Sequence, residues 1–472
     1  DTAGLVMTGS DLFVSRPVGL CITPTQGACA AGDASCPVFK KTGEAFQLNI
    51  AGVAWQADDD EDLCSGNLAT PNFALANIAL GSQLVAPTPG VEAVVGTASY
   101  DHSNAKGNNN LNTLSQSVNE VGVFRMTATP PAAGYFNDTI PAATSVPVGR
   151  FVPWGFNLVS GTVTPACGDF SYMSQPFGVQ TTVQARNRQG GITQNYHDAF
   201  ARGTLSLVAA NDQDGVDRSN RLDPLVTSWS AGVADFTGQS RFMRLRELTP
   251  GLTAPEEPLR ALRLGLRVAD GETPETSFLA DRDMNPAVTG DCQAGVSCTA
   301  KQLAIPEGTD DTMIAYYGRL LASTRQGAAS APLALPLQVQ YFEGGRWRVN
   351  QQDLCTRLSL AGDGILFTDP EQHYDAATGD LSLKDGTRIR LGLGQVAPGG
   401  SQASVEGGET RFHFAAPNQS VRIPYRIQLD KLPLQPLAPL WLADPATADH
   451  LLGEAIFGRD RGNDRIIYRR EV

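Results

Sequence analysis

Apolar and polar residues alternate over short spans of this chain, and glycine and proline punctuate the spans. Ala45-Phe46-Gln47-Leu48-Asn49-Ile50 sets Phe46, Leu48 and Ile50 on one side, the period of a strand with one buried face. Asp11 to Ile22 predicts a strand interrupted by Pro17 and therefore at a sheet edge. Leu75 to Val85 predicts one or two strands, the polar stretch Asp101 to Asn110 a surface loop, and Val121 to Ala128 a strand that completes a domain. Pro130 to Pro147 reads as a linker or long loop stiffened by its prolines. Arg260 to Ala269 and Thr312 to Thr324 fit helix or strand. Leu262, Leu264 and Leu266 alternate with Arg263, Gly265 and Arg267, and a tyrosine pair precedes Gly318, so both are read as strands. At the end, Ala455 to Phe457 and Ile466 to Tyr468 flank Arg461-Gly462-Asn463-Asp464, which predicts a β-hairpin that buries Ile466 and Tyr468.

The pattern recurs. Phe13-Val14 with Pro17-Val18-Gly19-Leu20 is echoed by Phe151-Val152-Pro153-Trp154-Gly155-Phe156, and Gly43-Glu44-Ala45-Phe46 by Ser174-Gln175-Pro176-Phe177. Cys36 precedes Phe46 by ten residues, as Cys167 precedes Phe177. A fainter third copy sets Leu337 to Tyr341 against Phe46 to Ile50, and Asp353-Leu354-Cys355 against Asp62-Leu63-Cys64. Repeats of this size, each a set of short strands, predict an all-β chain of tandem immunoglobulin-like β-sandwiches in an elongated row, at about 1–149, 150–312 and 313–472.

Composition narrows the partners. A net charge of -13 offers no basic face for phosphate, which argues against nucleic acid. No apolar run reaches the ~18 residues of a transmembrane helix. The start at Asp1 reads as a processed or cut product, so the lack of a signal peptide does not argue for the cytoplasm. Eight cysteines, even in number and without a C-x-x-C, predict disulfides made outside the cytosol. Cys292 and Cys298 enclose a short loop and are expected to pair locally. Cys21, Cys29, Cys36 and Cys64 are expected to form two bonds within the first unit, in a connectivity left open. Cys167 and Cys355 remain, for a bond that crosses from the second unit to the third.

Catalytic signatures are missing: there is no G-x-S-x-G, H-E-x-x-H, Walker A loop or dinucleotide fingerprint. The histidines at 102, 197, 373, 413 and 450 are scattered, and Gly392-Leu393-Gly394 reads as a turn. Calcium is the one cofactor with residues behind it. Asp212, Asp214 and Asp217 present oxygens at alternate positions around Gly215, but Ala210 stands where an EF-hand needs its first carboxylate and no glutamate closes the loop. A solvated Asx-turn is the competing reading of the same residues. The acidic run Asp58 to Asp62 is read as solvated.

Gly458, Arg461-Gly462-Asn463-Asp464-Arg465, Tyr468 and Arg470-Glu471-Val472 resemble the C-terminal signature of the MSHA biogenesis protein MshQ family. Val118 to Arg125, Gly149 to Pro153, Phe170 to Phe177 and Tyr317 to Leu320 are similar to the family as well. The resemblance implies a non-enzymatic extracellular or cell-surface component of an MSHA-type type IV pilus, exported through the periplasm, with pilus subunits or other surface proteins as partners. It also implies that recognition of a host or surface glycan belongs to a lectin-like domain ahead of this region. A calcium- or carbohydrate-binding adhesin module is the second reading, and a hydrolase on a β-scaffold the third.

Overall fold

The computed structural model describes residues 14–58, 60–270, 279–360, 364–396, 400–429, 439–444 and 449–458. Strands, with one four-residue α-helix and a few single-turn 3-10 helices, build three two-sheet sandwiches among these residues.

In the first sandwich, Phe46–Val53 is the middle strand between Gly19–Pro24 and Leu111–Gln116. Its alternation buries Phe46, Leu48 and Ile50 while Gln47 stays exposed. Gly19–Pro24 is the edge strand expected around Pro17. The facing sheet runs Lys40–Lys41, Ala143–Val152, Gly122–Thr129, Leu75–Ala86, Ser99–His102. Leu20, Leu48, Phe124 and Val148, drawn from both sheets, share one core.

Two local expectations change here. The proline-rich segment read as a linker ends in the strand Ala143–Val152, with Pro147 opposite Arg125 next to a register shift, where a missing N–H is tolerated. That strand spans the boundary expected at 149/150, and Phe151 packs with Phe39, Phe46 and Phe124 in the first core. Asp101 to Asn110 is not all surface. His102 and Asn110 are buried, and the Asn110 side chain accepts from the Gly52 N–H at 2.9 Å and donates to the Phe73 carbonyl at 2.8 Å.

The second sandwich repeats the small-sheet plan. Pro176–Arg186, which carries Phe177, lies between Gly155–Thr164 and Val233–Arg241. Its larger sheet runs Phe170–Tyr172, Met313–Tyr316, Leu259–Asp270, Gly203–Asn211, with Lys301–Gln302 on the side. Leu262, Leu264 and Leu266 are fully buried on one face of Leu259–Asp270, which is a strand throughout. The ambiguous stretch after Thr312 is two strands, Met313–Tyr316 and Gly318–Leu321, and they belong to different sandwiches.

In the third sandwich, one sheet runs Gly318–Leu321, Leu333–Glu343, Glu409–Phe414, Arg388–Gly394, Asp380–Ser382, His373–Asp375. The other runs Thr324–Gly327, Leu452–Phe457, Val421–Ile427, Ile365–Phe367. Leu452–Phe457 buries Ala455 and Phe457 and has a neighbour on each side, parallel Thr324–Gly327 and antiparallel Val421–Ile427. Both of its hydrogen-bonding edges are therefore occupied along Glu454–Phe457. The expected hairpin partner, Ile466 to Tyr468, lies outside the described residues.

Candidate functional site at the junctions between sandwiches

The chain crosses from the second sandwich to the third through Tyr317 alone, and the strand pattern sends neighbouring side chains in opposite directions. Tyr316 enters the third core and Tyr317 the second. Phe170 and Tyr172, on an outer strand of the second sandwich, also pack into the third core. Cys167, just before that strand, is bonded to Cys355 across 188 residues.

Asp353 sits beside this disulfide and is wholly buried. One carboxylate oxygen accepts the backbone N–H groups of Cys355 at 3.0 Å and Thr356 at 2.9 Å. The other accepts the Thr356 hydroxyl at 2.6 Å and the Tyr172 hydroxyl at 2.9 Å. Asn350 donates to the same tyrosine oxygen at 2.7 Å. Burial, then the adjacent Asp353 carboxylate, raise the Tyr172 phenol well above its usual value, so it stays a neutral donor. Every donor around the carboxylate is thus used, which is the condition for burying a charge.

Arg244 closes the other side. Its guanidinium donates to the carbonyls of Ala443 and Gly318, both at 2.8 Å, and of Trp441, and stacks 4.1 Å from the Tyr317 ring. Arg246 bridges Asp444 at 2.5 Å and donates to the Tyr317 hydroxyl at 3.2 Å. A planar fork with several fixed donors suits a site where three backbone carbonyls from two segments converge.

The junction of the first and second sandwiches is apolar where Cys36, Val121 and Val123 enter the second core, and polar beside them. Glu120 accepts the N–H groups of Gln194 at 3.0 Å and Asn195 at 3.1 Å. Asn195 in turn bonds Val91 through both its amide oxygen and nitrogen, and donates to the Val121 carbonyl. Burial raises the Glu120 carboxyl, and the N–H groups of Val121, Asn195 and Gln194 oppose the shift. Trp154 sits where the chain crosses, with the Lys41 ammonium 5.9 Å and the Arg188 guanidinium 5.1 Å from its ring.

The other disulfides are Cys21–Cys64, Cys29–Cys36 and Cys292–Cys298, and no cysteine is free. Asp62 Oδ1 accepts the Cys64 N–H at 3.0 Å, the same turn that Asp353 makes with Cys355. The repeated Asp-Leu-Cys is therefore one local structure used twice, its aspartate exposed in the first sandwich and buried in the third.

The structure does not gather the calcium candidates. Asp214 pairs with Arg218 through both oxygens, at 2.8 and 2.7 Å, and Arg218 holds its carboxyl below the usual range. Asp217 accepts from the Ser219 N–H at 2.9 Å, and Asp212 adopts a left-handed turn conformation with φ of 53°. Among the described residues, the one group with metal-type ligand atoms close together is Cys167, Asp353 and Cys355, whose sulfurs are joined to each other and offer no thiolate. Sequence reasoning paired the right region with Cys355 but missed Tyr172 and Asn350. Only the Asp-Leu-Cys repeat carried a trace of the site.

The second, third and fourth domains of the family DUF6701 match residues 16–112, 120–299 and 316–472. No curated protein matches the sequence. Among solved structures, the chain is similar to invasin, a bacterial integrin-binding protein, at 10% identity and a TM-score of 0.22, covering 93% of this chain and 60% of invasin. It is similar to the I9–I11 tandem of titin at 5% identity and a TM-score of 0.24, covering 93% of this chain and 98% of the tandem. A C-terminal fragment of intimin, solved with the intimin-binding domain of its translocated receptor, is similar at 9% identity and a TM-score of 0.20, covering 53% of this chain and 59% of the fragment.

Proposed function

We propose, for a chain built of DUF6701 domains, that it is a non-enzymatic structural spacer of an extracellular adhesive assembly, associated with an MSHA-type type IV pilus. The observation that carries this reading is the Cys167–Cys355 bond with the buried Tyr172–Asp353 contact beside it. At this junction Tyr172 and Asp353 are buried and bonded to each other. What it does is hold two sandwiches in one geometry. The polar junction around Glu120 and Asn195 serves the same end between the first and second. Four disulfides fit an oxidising compartment. Among the described residues no helix is long and apolar enough to cross a membrane.

Pilus association rests on the sequence resemblance to the MshQ family, and surface proteins or pilin subunits are the partners it implies. The test is co-purification of the full-length protein with pili sheared from cells. The protein is expected in the pilus fraction and absent from the same fraction of a pilus-minus strain. Equal amounts in both would retire the pilus assignment and leave the spacer role standing.

A further inference from the structure

Trp154 stands 41% exposed in the wall of a cleft of about 310 Å³ on the second sandwich. Arg186 and Arg188, from the turn that ends Pro176–Arg186, and Asn157, from the start of Gly155–Thr164, line the cleft with it. Hydrogen bonds hold that turn in shape. The buried Asn187 side chain accepts the N–H groups of Gln189 at 3.1 Å and Gly191 at 2.8 Å, and donates to the Asn119 carbonyl at 3.0 Å. The Trp154 N–H donates to the Arg186 carbonyl at 2.8 Å, which sets the ring beside the turn.

The cleft carries positive charge that the described residues do not neutralise. Arg188 is exposed, with its guanidinium 5.1 Å from the Trp154 ring and no carboxylate partner among the described residues. Arg186 donates to neutral acceptors only, the Gly190 carbonyl and the Gln184 amide oxygen. The Lys41 ammonium, 5.9 Å from the same ring, adds a third cation. No Asp or Glu is among the described lining residues, in a chain whose net charge is -13. A local reversal of sign inside a cleft draws an anion.

We propose that this cleft binds a carboxylated sugar. The open part of the Trp154 ring takes the C–H face of the sugar, the exposed Arg188 guanidinium takes its carboxylate through paired N–H groups, and the exposed Asn157 amide meets its hydroxyls. An acidic peptide is disfavoured. The strand edge beside the cleft is already taken, since the Ala280 N–H donates to the Phe156 carbonyl at 2.8 Å, so a peptide main chain finds no ladder to join. This goes beyond the spacer reading and is independent of it.

The test uses the whole chain on an array carrying trigalacturonate and sialyllactose, with the methyl ester of trigalacturonate and lactose as their uncharged counterparts and a triglutamate peptide as a further arm. Two variants accompany it. Arg188→Gln removes one exposed charge, and Trp154→Leu removes the ring while keeping an apolar side chain. At least one acidic sugar is retained, about tenfold or more above its uncharged counterpart. Arg188→Gln weakens that binding about tenfold to hundredfold with the melting temperature unchanged, and Trp154→Leu weakens it about threefold to tenfold. No acidic sugar retained, equal retention of the uncharged counterpart, capture of triglutamate alone, or binding that either variant leaves untouched would each overturn the proposal.

Discussion

Tyr172 and Asp353, 181 residues apart, share a 2.9 Å hydrogen bond that ties an outer strand of the second sandwich to the loop before Cys355 in the third. The carboxylate is charged-group acceptor to four donors, so the contact belongs to a network and not to a lone pair. A double-mutant cycle of Tyr172→Phe and Asp353→Asn, read by urea denaturation, is expected to show a coupling of about 1–3 kcal/mol. Additive effects would mean that the two residues stabilise the junction separately.

The disulfides are expected to rank by the loop each closes. Cys167–Cys355 spans 188 residues and Cys292–Cys298 only 6, so the chain-entropy relation gives about 5 against about 2 kcal/mol. Paired serine substitutions, compared by denaturant midpoint, should therefore cost more at 167 and 355 than at 292 and 298. The opposite order would place the stabilisation in local geometry.

His102 gives the first sandwich a pH dependence. Its Nε2–H donates to Asn110 Oδ1 at 2.7 Å and its Nδ1 accepts from the Tyr100 hydroxyl at 2.8 Å. Burial lowers its pKa from the ordinary 6.5, against the smaller raising effect of Asn110. As pH falls below 6.5 the unfolded chain takes up a proton that the folded one refuses, so stability present above that pH is lost down to the depressed folded value. Between pH 8 and 5.5 the melting temperature of the wild type should fall more than that of His102→Gln. Parallel curves would remove His102 from the account.

Calcium at the turn of Asp212, Asp214 and Asp217 has to displace Arg218 from both oxygens of Asp214 and Ser219 from Asp217. Melting curves in calcium and in chelator are expected to coincide. A rise in calcium would show that the turn rearranges around the ion, since a ligand of the native state must stabilise it.

Strands were legible where burial is apolar and local. Phe46, Leu48 and Ile50, or Leu262, Leu264 and Leu266, announce their faces by alternation alone. Polar burial leaves no such mark. Asn110 in a polar run and Asp353 before a cysteine look solvated in sequence, and become interior only because distant donors and acceptors meet them. Pro147 misled for a related reason, since a neighbouring register shift, invisible in sequence, lets a proline sit in a paired strand. The Tyr316–Tyr317 pair was read as strand, but not as the point where consecutive side chains serve two cores.

Pulling the oxidised chain by its two ends tests the spacer account most directly. With Cys167 bonded to Cys355, tension passes through the sulfurs and bypasses the 188-residue loop that holds most of the second sandwich, shortening the fully extended chain by roughly 650 Å. Single-molecule force–extension curves should show that deficit, together with roughly 150 Å enclosed by Cys21–Cys64, without reductant and recover both after reduction, with the strands between Cys167 and Cys355 extending only then. Full length, with the segment between Cys167 and Cys355 extended in the oxidised protein, would contradict a junction built to carry load.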